Sequence, residues 1–461
     1  MKNLVSLLIT GFVLFSCAPD NKSSKSLPNL IIADEQGLYN IELVFDESSG
    51  LSPLINTSNC LSGVDSKPCQ EDVRMLKNQV LEKINQIDKS IQVDELHVRV
   101  YLDVSVYLGG LTAVQYQNLA ENAANGHYLL SSTFEIQIRR PIMQTEYIQQ
   151  ARRPIMQEQL RYDPTIKTSL MIKEIGGGQP GSSNPTHRVW IVDTGIDSTH
   201  QDLKFNPAEV ALSKDFTIGG GNSGPFKDVI GHGTFLAGSI GGLASTDPSY
   251  TQGYGVNGVW PGAKMVSIKI FKDNNCKANN GSITSALEYI LIHSASGDIV
   301  NLSWGINLSP KKCDDPPYNK IYEAIDLLAS KGVNIVMSAG NEADESLTNF
   351  PGCINLDSRP DSVKSKIFTI GSVEVPVSGT YYYSIFSNYG KPSIDYLTPG
   401  EDVFTTAPDG KYVLVSGTSI SAAIFSGILY SNSNPDTLAM ITRGAAAGAA
   451  DPSYPIAKVR N

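Results

Sequence analysis

Three side chains of unlike type, each set in a short segment, could together make a hydroxyl attack a carbonyl. Asp193 closes the apolar run Val-Trp-Ile-Val-Asp (189–193), His232 lies in Gly-His-Gly-Thr (231–234), and Ser419 lies in Ser-Gly-Thr-Ser-Ile-Ser-Ala (416–422). A serine hydroxyl is a weak nucleophile at neutral pH. It needs an imidazole to take its proton, and the imidazole needs a carboxylate to fix its tautomer and stabilise its charged form. Taken singly, an Asp after a strand reads as a turn residue and a Ser before a helix as a cap. The complete set points to acyl transfer.

The order Asp, His, Ser along the chain differs from the order in chymotrypsin and in the α/β-hydrolases. With this order and these motifs the chain resembles the subtilisin-like serine proteases, the subtilases. Asn-Ile-Val-Met-Ser-Ala-Gly-Asn-Glu (334–342) is similar to the family segment whose Asn, here Asn341, helps form the oxyanion hole. Asn-Leu-Ser-Trp-Gly (301–305) is similar to the segment that binds the substrate backbone, and Phe-Ser-Asn-Tyr-Gly (386–390) running to Thr-Pro-Gly (398–400) to the stretch before the serine. The match covers about residues 185 to 430. Departures are Ile420 after the serine, Ala423-Ile424 for a usual Pro-His pair, and Phe235 for a frequent His; none removes a reacting group.

The resemblance implies a serine endopeptidase working through an acyl-enzyme, with Asp193, His232, Ser419 and Asn341 as its catalytic groups. It places Ser303, Trp304, Gly305, Ala339 and Gly340 around the S1 pocket. No acidic residue falls within those two segments, so a broad or apolar P1 preference is expected. No cofactor is required for the chemistry. Asp202 matches a family calcium ligand, so a structural Ca2+ is expected there, although the loop Gly242 to Gly258 is longer than usual. The alternative is a pseudoprotease that keeps the cleft only for binding. A nucleotide-binding α/β protein is disfavoured, because no Gly-x-Gly-x-x-Gly joins the first strand to a helix.

The elements that must hold these groups alternate in type. Apolar strand-like runs at 188–192, 264–270, 299–302, 334–338 and 367–372 are separated by helical runs at 234–241, 282–293 and 320–331. Apolar strands interleaved with helices predict an α/β fold with a doubly wound parallel sheet, whose sites gather at the strands' carboxyl ends. Asp193 stands at such an end, and His232 and Ser419 at helix starts.

The chain has 461 residues, 41% hydrophobic and 18% charged, with a net charge of −10. That balance fits a globular protein and argues against nucleic acid or an anionic membrane surface as a partner. Residues 1–17 read as a signal peptide: Lys2, a short apolar run from Leu4 to Phe15, then Leu-Phe-Ser-Cys, which resembles a bacterial lipobox with Cys17 lipidated. The expectation is an exported lipoprotein of the bacterial cell envelope, touching membrane only through that lipid. An ordinary signal peptide would leave it periplasmic or secreted.

Residues 18–69 read as a tether with a small cysteine-containing segment, 70–140 as a small α+β domain, 141–181 as a linker and 182–461 as the catalytic domain. The small domain shows helical spacing over 72–87, an alternating strand at 96–102, a helix at 112–125 and a strand at 132–138. Its position resembles the family's propeptide, which would make it an intramolecular inhibitor. Arg-Arg-Pro-Ile-Met-Gln occurs at 139–144 and again at 152–157. In an exported chain Cys60 and Cys69 are expected to bond. By resemblance, Cys276 and Cys313 lie on loops flanking the cleft and form the preferred second bridge, leaving Cys353 free.

Overall fold

The computed structural model describes residues 38–460 apart from 46–48, 58, 61–65, 102, 124–127, 133–134, 138–141, 144–160, 181–184, 218–222, 248–253, 274–275, 309–312, 314–317, 355, 376–379, 391–392, 433 and 444–451. The signal segment with Cys17, and the second Arg-Arg-Pro-Ile-Met-Gln copy, lie outside the described residues.

The catalytic region is organised by one sheet. Its strands run, in spatial order, Lys214–Asp215, Met265–Lys269, Val189–Asp193, Ile299–Leu302, Asn334–Ser338, Ile367–Glu374, Tyr396–Pro399, Tyr454–Lys458 and Asp436–Ile441. All are parallel up to Tyr454–Lys458; the last pairs antiparallel, as does Tyr382–Tyr383 on Ile367–Glu374. Val189–Asp193, Met265–Lys269, Ile299–Leu302 and Asn334–Ser338 are buried at every position. That follows from helices lying on both faces, which leave no solvated side and favour continuous apolar runs. Ser419 opens the helix Thr418–Ser431, whose first thirteen residues are all buried; such a helix can only be a central one. The five strands and three helices expected from periodicity are all present, within two residues at each end. The strands after residue 374 were not anticipated.

The N-terminal region is a separate antiparallel sheet ordered Val98–Arg99, Ser105–Leu111, Tyr39–Phe45, Tyr128–Ser132. Two helices belong to it. Lys67–Ile87 buries Cys69, Val73, Leu76, Val80 and Ile84 and is capped by Ser66, whose hydroxyl accepts from the Cys69 amide. Ala113–Ala123 buries Leu119. Two expectations need correction here. Residues 39–45 are a central strand, not part of a tether, because Ile41, Leu43 and Phe45 alternate onto the core face. The main strand of the 96–111 stretch is Ser105–Leu111, which Gly109-Gly110 disguises as a turn.

This small sheet packs against the helix Asn280–His293, and its apolar core is continuous with residues under that helix, including Phe216, Ile283, Leu287 and Ile290. Between the two lies a buried charged cluster. Arg99 bonds Glu42 and Thr284 and reaches Asp103 at 3.1 Å, while Lys320 also bonds Asp103. The Glu288 carboxylate accepts from the Val100 amide at 3.0 Å.

Cys60 and Cys69 are bonded, with Cα atoms 4.8 Å apart. The second expected bridge is overturned: Cys313 bonds Cys353, Cα to Cα 5.7 Å, not Cys276. Ile306–Asn307 pairs antiparallel with Asn349–Phe350, and that ladder carries the two loops side by side.

Candidate active site

Asp193 is the last residue of its strand, so its side chain emerges at the sheet's carboxyl edge. Its Oδ1 lies 2.8 Å from His232 Nδ1 and also accepts the Thr194 amide at 2.8 Å. Both groups are about 1% exposed. With Nδ1 donating to the carboxylate, Nε2 is the ring's lone-pair nitrogen, and it has no partner among the described residues. Burial works against a charged ring, but the Asp193 carboxylate outweighs it, and the His232 pKa stands above the ordinary histidine value.

His232 opens its helix because Asp228 shapes the turn before it. Asp228 accepts from the Gly231 amide at 2.7 Å and from the amide and hydroxyl of Thr234 at 2.9 and 2.7 Å. Gly231 takes a left-handed φ of 94° there, which glycine adopts without steric cost. Gly233 has no room for a side chain, since a Cβ would overlap the Gly195 carbonyl. The Asp193 and His232 segments therefore approach backbone to backbone.

Ser419 sits in the first turn of its helix and exchanges hydrogen bonds with Ser303. Its Oγ donates to the Ser303 carbonyl at 2.9 Å, and Ser303 Oγ donates to the Ser419 carbonyl at 2.8 Å. Asn341 Oδ1 accepts from the Thr418 amide at 2.8 Å and hydroxyl at 2.9 Å. The acceptor end is thereby used. The Nδ2 hydrogens have no partner among the described residues and are the donors a developing oxyanion could take.

Of the five residues expected around the S1 pocket, Trp304 ties its segment to the Asp193 strand by donating Nε1–H to the Val192 carbonyl at 3.0 Å. Gly305 and Gly340 both face Asn349. A Cβ on Gly305 would come within 2.9 Å of that amide, and one on Gly340 within 2.8 Å of its Cγ. Ala339 is buried and donates its amide to the Ile370 carbonyl at 3.0 Å. Asn349 was not anticipated: it is 3% exposed and donates to the Ser338 carbonyl at 3.2 Å. Also missed were Glu342 and Asn388, which fix the turn carrying Asn341. Glu342 Oε2 accepts from the Asn341 amide and from Asn388 Nδ2, each at 3.0 Å. The segment Phe386–Gly390, noted as a motif, held the signal for Asn388.

Asp202 does not suit calcium. Its Oδ1 accepts the Ser245 amide at 2.7 Å, and its Oδ2 accepts the Val256 amide at 2.8 Å and the Tyr412 hydroxyl at 2.7 Å. Three hydrogens point at the carboxylate where a cation would have to approach, and among the described residues no cluster of His, Cys, Asp and Glu could hold a metal. The longer loop is fastened by this carboxylate directly.

Two further pairings join the N-terminal region to the catalytic region. Glu135–Gln137 runs antiparallel to Lys277–Asn279, and Ile142–Met143 antiparallel to Val415–Ser416, directly before Ser419.

Residues 186–432 match the model of the subtilase family. The major intracellular serine protease of Bacillus subtilis (strain 168) is 32% identical over 248 residues, 52% of this chain and 66% of that protein. An intracellular serine protease of Paenibacillus polymyxa is 30% identical over 281 residues, 57% of this chain and 74% of that one. Among solved structures, a cold adapted subtilisin-like serine proteinase aligns with TM-score 0.40 and 22% identity, covering 54% of this chain and 79% of its own. The chain thus belongs to the subtilase family.

Proposed function

We propose that this chain is a serine endopeptidase acting on polypeptides through an Asp193–His232–Ser419 triad. The observation that carries this reading is the buried Asp193–His232 bond of 2.8 Å, which leaves Nε2 open. In the proposed reaction the Ser419 hydroxyl turns from the Ser303 carbonyl to Nε2, gives up its proton and attacks the substrate carbonyl. Asp193 holds the ring, and Asn341 Nδ2 with the Ser419 amide stabilises the oxyanion. His232 then protonates the leaving amine; in the second half it takes a proton from water as the water attacks the ester, and returns that proton to the Ser419 oxygen as the acid departs. A fluorophosphonate probe followed by mass spectrometry should label Ser419 and no other serine. Protein that neither labels nor cleaves casein would be the pseudoprotease instead.

The N-terminal region, on this reading, is the enzyme's own inhibitor. Its support is the pair of backbone ladders by which 135–137 joins Lys277–Asn279 and 142–143 joins Val415–Ser416, the second only a few residues before Ser419. Cleavage is expected between about Arg139 and Gly181, and the two ladders favour its near end. Ser419→Ala should accumulate as one uncut chain, and residues 38–140 added in trans should inhibit the processed enzyme. A fragment from residue 70 should not, because it lacks the strand Tyr39–Phe45. An active enzyme that keeps this region attached would make it an accessory domain.

Export as a Cys17 lipoprotein completes the proposal, supported by Leu14-Phe15-Ser16-Cys17. A Cys17→Ser variant should leave the membrane fraction. A broad or apolar P1 preference is proposed from the absence of an acidic residue in 303–305 and 339–340.

A further inference from the structure

Lys269 is a fully buried lysine that the proposed chemistry does not use. It ends the strand Met265–Lys269 and stands in register beside Asp193 on the neighbouring strand. A buried ammonium persists only where its hydrogens are met, and all three of these are. One goes to the Thr194 carbonyl, one to the Lys227 carbonyl at 3.0 Å and one to Asp273 Oδ1 at 2.7 Å. Asp273 is itself held by the Ser223 hydroxyl at 2.5 Å.

The two carbonyls belong to the two segments that carry the acid and the base. Thr194 follows Asp193, donates its amide to that carboxylate, and accepts the Gly233 amide on its hydroxyl at 2.8 Å. Lys227 precedes Asp228, the residue that shapes the start of the His232 helix. Gly195 completes the junction with a φ of 98°, where a Cβ would lie 2.7 Å from the Lys227 carbonyl and 3.3 Å from Lys269 Nζ.

We infer that Lys269 is a positioning residue for the triad. One ammonium pins the Asp193 turn to the loop before His232 and so sets the distance between carboxylate and imidazole. The substrate contacts proposed from the resemblance lie on other segments, at 303–305 and 339–341. A loosened clamp should therefore act on turnover and not on substrate affinity, and a misplacement of about 1 Å costs about 100-fold.

This inference rests on the proposed hydrolase reading, and its test separates the two. In Lys269→Met, kcat should fall about 100-fold with KM within about 3-fold. The hydrogen-bonded His232 Nδ1 proton, read by NMR on 15N-histidine-labelled full-length protein, should shift or vanish. Lys269→Gln, which keeps two of the three N–H donors without the charge, should lose about 10-fold. A folded Met variant with wild-type kcat and an unmoved resonance overturns the inference. Should the Met variant not fold, the Gln variant decides by the same two readouts. Failure of both to fold assigns Lys269 to the core alone and also overturns it. Wild-type protein that does not react with the fluorophosphonate sinks the hydrolase reading, while the NMR signal still reports on the Asp193–His232 pair.

Discussion

The active site and the seam between the two domains are both buried and both polar, yet they are built differently. At the active site the polar groups are held by short hydrogen bonds between converging segments: Asp193 by the Thr194 amide, His232 by Asp193, Asn341 by Thr418. Of the buried unpartnered atoms there, Asp193 Oδ2 and His232 Nε2, the second is the one the proposed reaction asks to accept a proton. At the seam, Arg99, Glu42 and Asp103 of the small sheet meet Lys320 and Glu288 of the catalytic region, so that charges neutralise one another in a cluster spanning the boundary. Their unpartnered atoms, Glu288 Oε2 and His97 Nδ1, serve no chemistry. A net of short hydrogen bonds within one fold makes a site that persists; mutual neutralisation across a boundary makes a joint that can be undone.

The sharpest way to break the contrast is at the site itself. Ser419→Ala or His232→Ala should lower turnover about 10,000-fold or more in a peptide-hydrolysis assay while leaving the melting temperature nearly unchanged. Asn341→Leu should lower kcat about 100- to 1,000-fold with KM little altered, because the lost donor acts only on the developing oxyanion. Equal turnover would remove Asn341 from that role.

At the seam the effect should appear in stability. Arg99→Met removes the main counter-charge of buried Glu42, leaving it only Lys320 at 3.5 Å; breaking a buried pair typically costs about 3–5 kcal/mol. Hydrogen exchange of the 39–132 region in the uncut Ser419→Ala protein should rise accordingly, while exchange in the central sheet stays slow. Uniform loss across both domains would show that they are one cooperative unit.

Acid should tell the two regions apart more gently. His97 is buried between the rings of Tyr107 and Phe216, and burial lowers its pKa to about 4. Unfolded, it titrates near 6.5, so the unfolded state binds more protons between those values and seam stability falls as pH drops from about 6.5 toward 4. Glu288, raised by burial, works in the opposite sense. The difference between wild type and His97→Phe in pH-dependent exchange isolates the histidine; identical profiles would discard it. At the active site the raised His232 pKa places the acid limb of kcat/KM above the ordinary histidine value.

The smallest effect is an expected absence of one. With Asp202 saturated by two amides and a phenol, a chelator should move the melting temperature by less than about a degree, whereas Asp202→Asn should lower it.

How much of this could be read beforehand follows the same divide. Asp193, His232, Ser419 and Asn341 each sit in a short stretch whose neighbours fix their conformation, so local sequence carried them. The parallel strands were legible because burial on both faces writes an unbroken apolar run. Lys269, Asn349 and Glu342 were not, because what matters about them is a partner elsewhere in the chain. Cys313 found Cys353 through a ladder between residues 306–307 and 349–350 that no spacing rule predicts. Tyr39–Phe45 was lost because its pairing partners lie at 105–111 and 128–132.

The two short ladders that join the N-terminal region to the catalytic region carry one more consequence. A segment joined to its own cleft meets it at an effective concentration in the millimolar range, far above that of a dissolved peptide. Cutting the chain between the ladders would leave every contact in place but convert occupancy from a property of the molecule into a property of the solution, so that dilution alone would open the cleft.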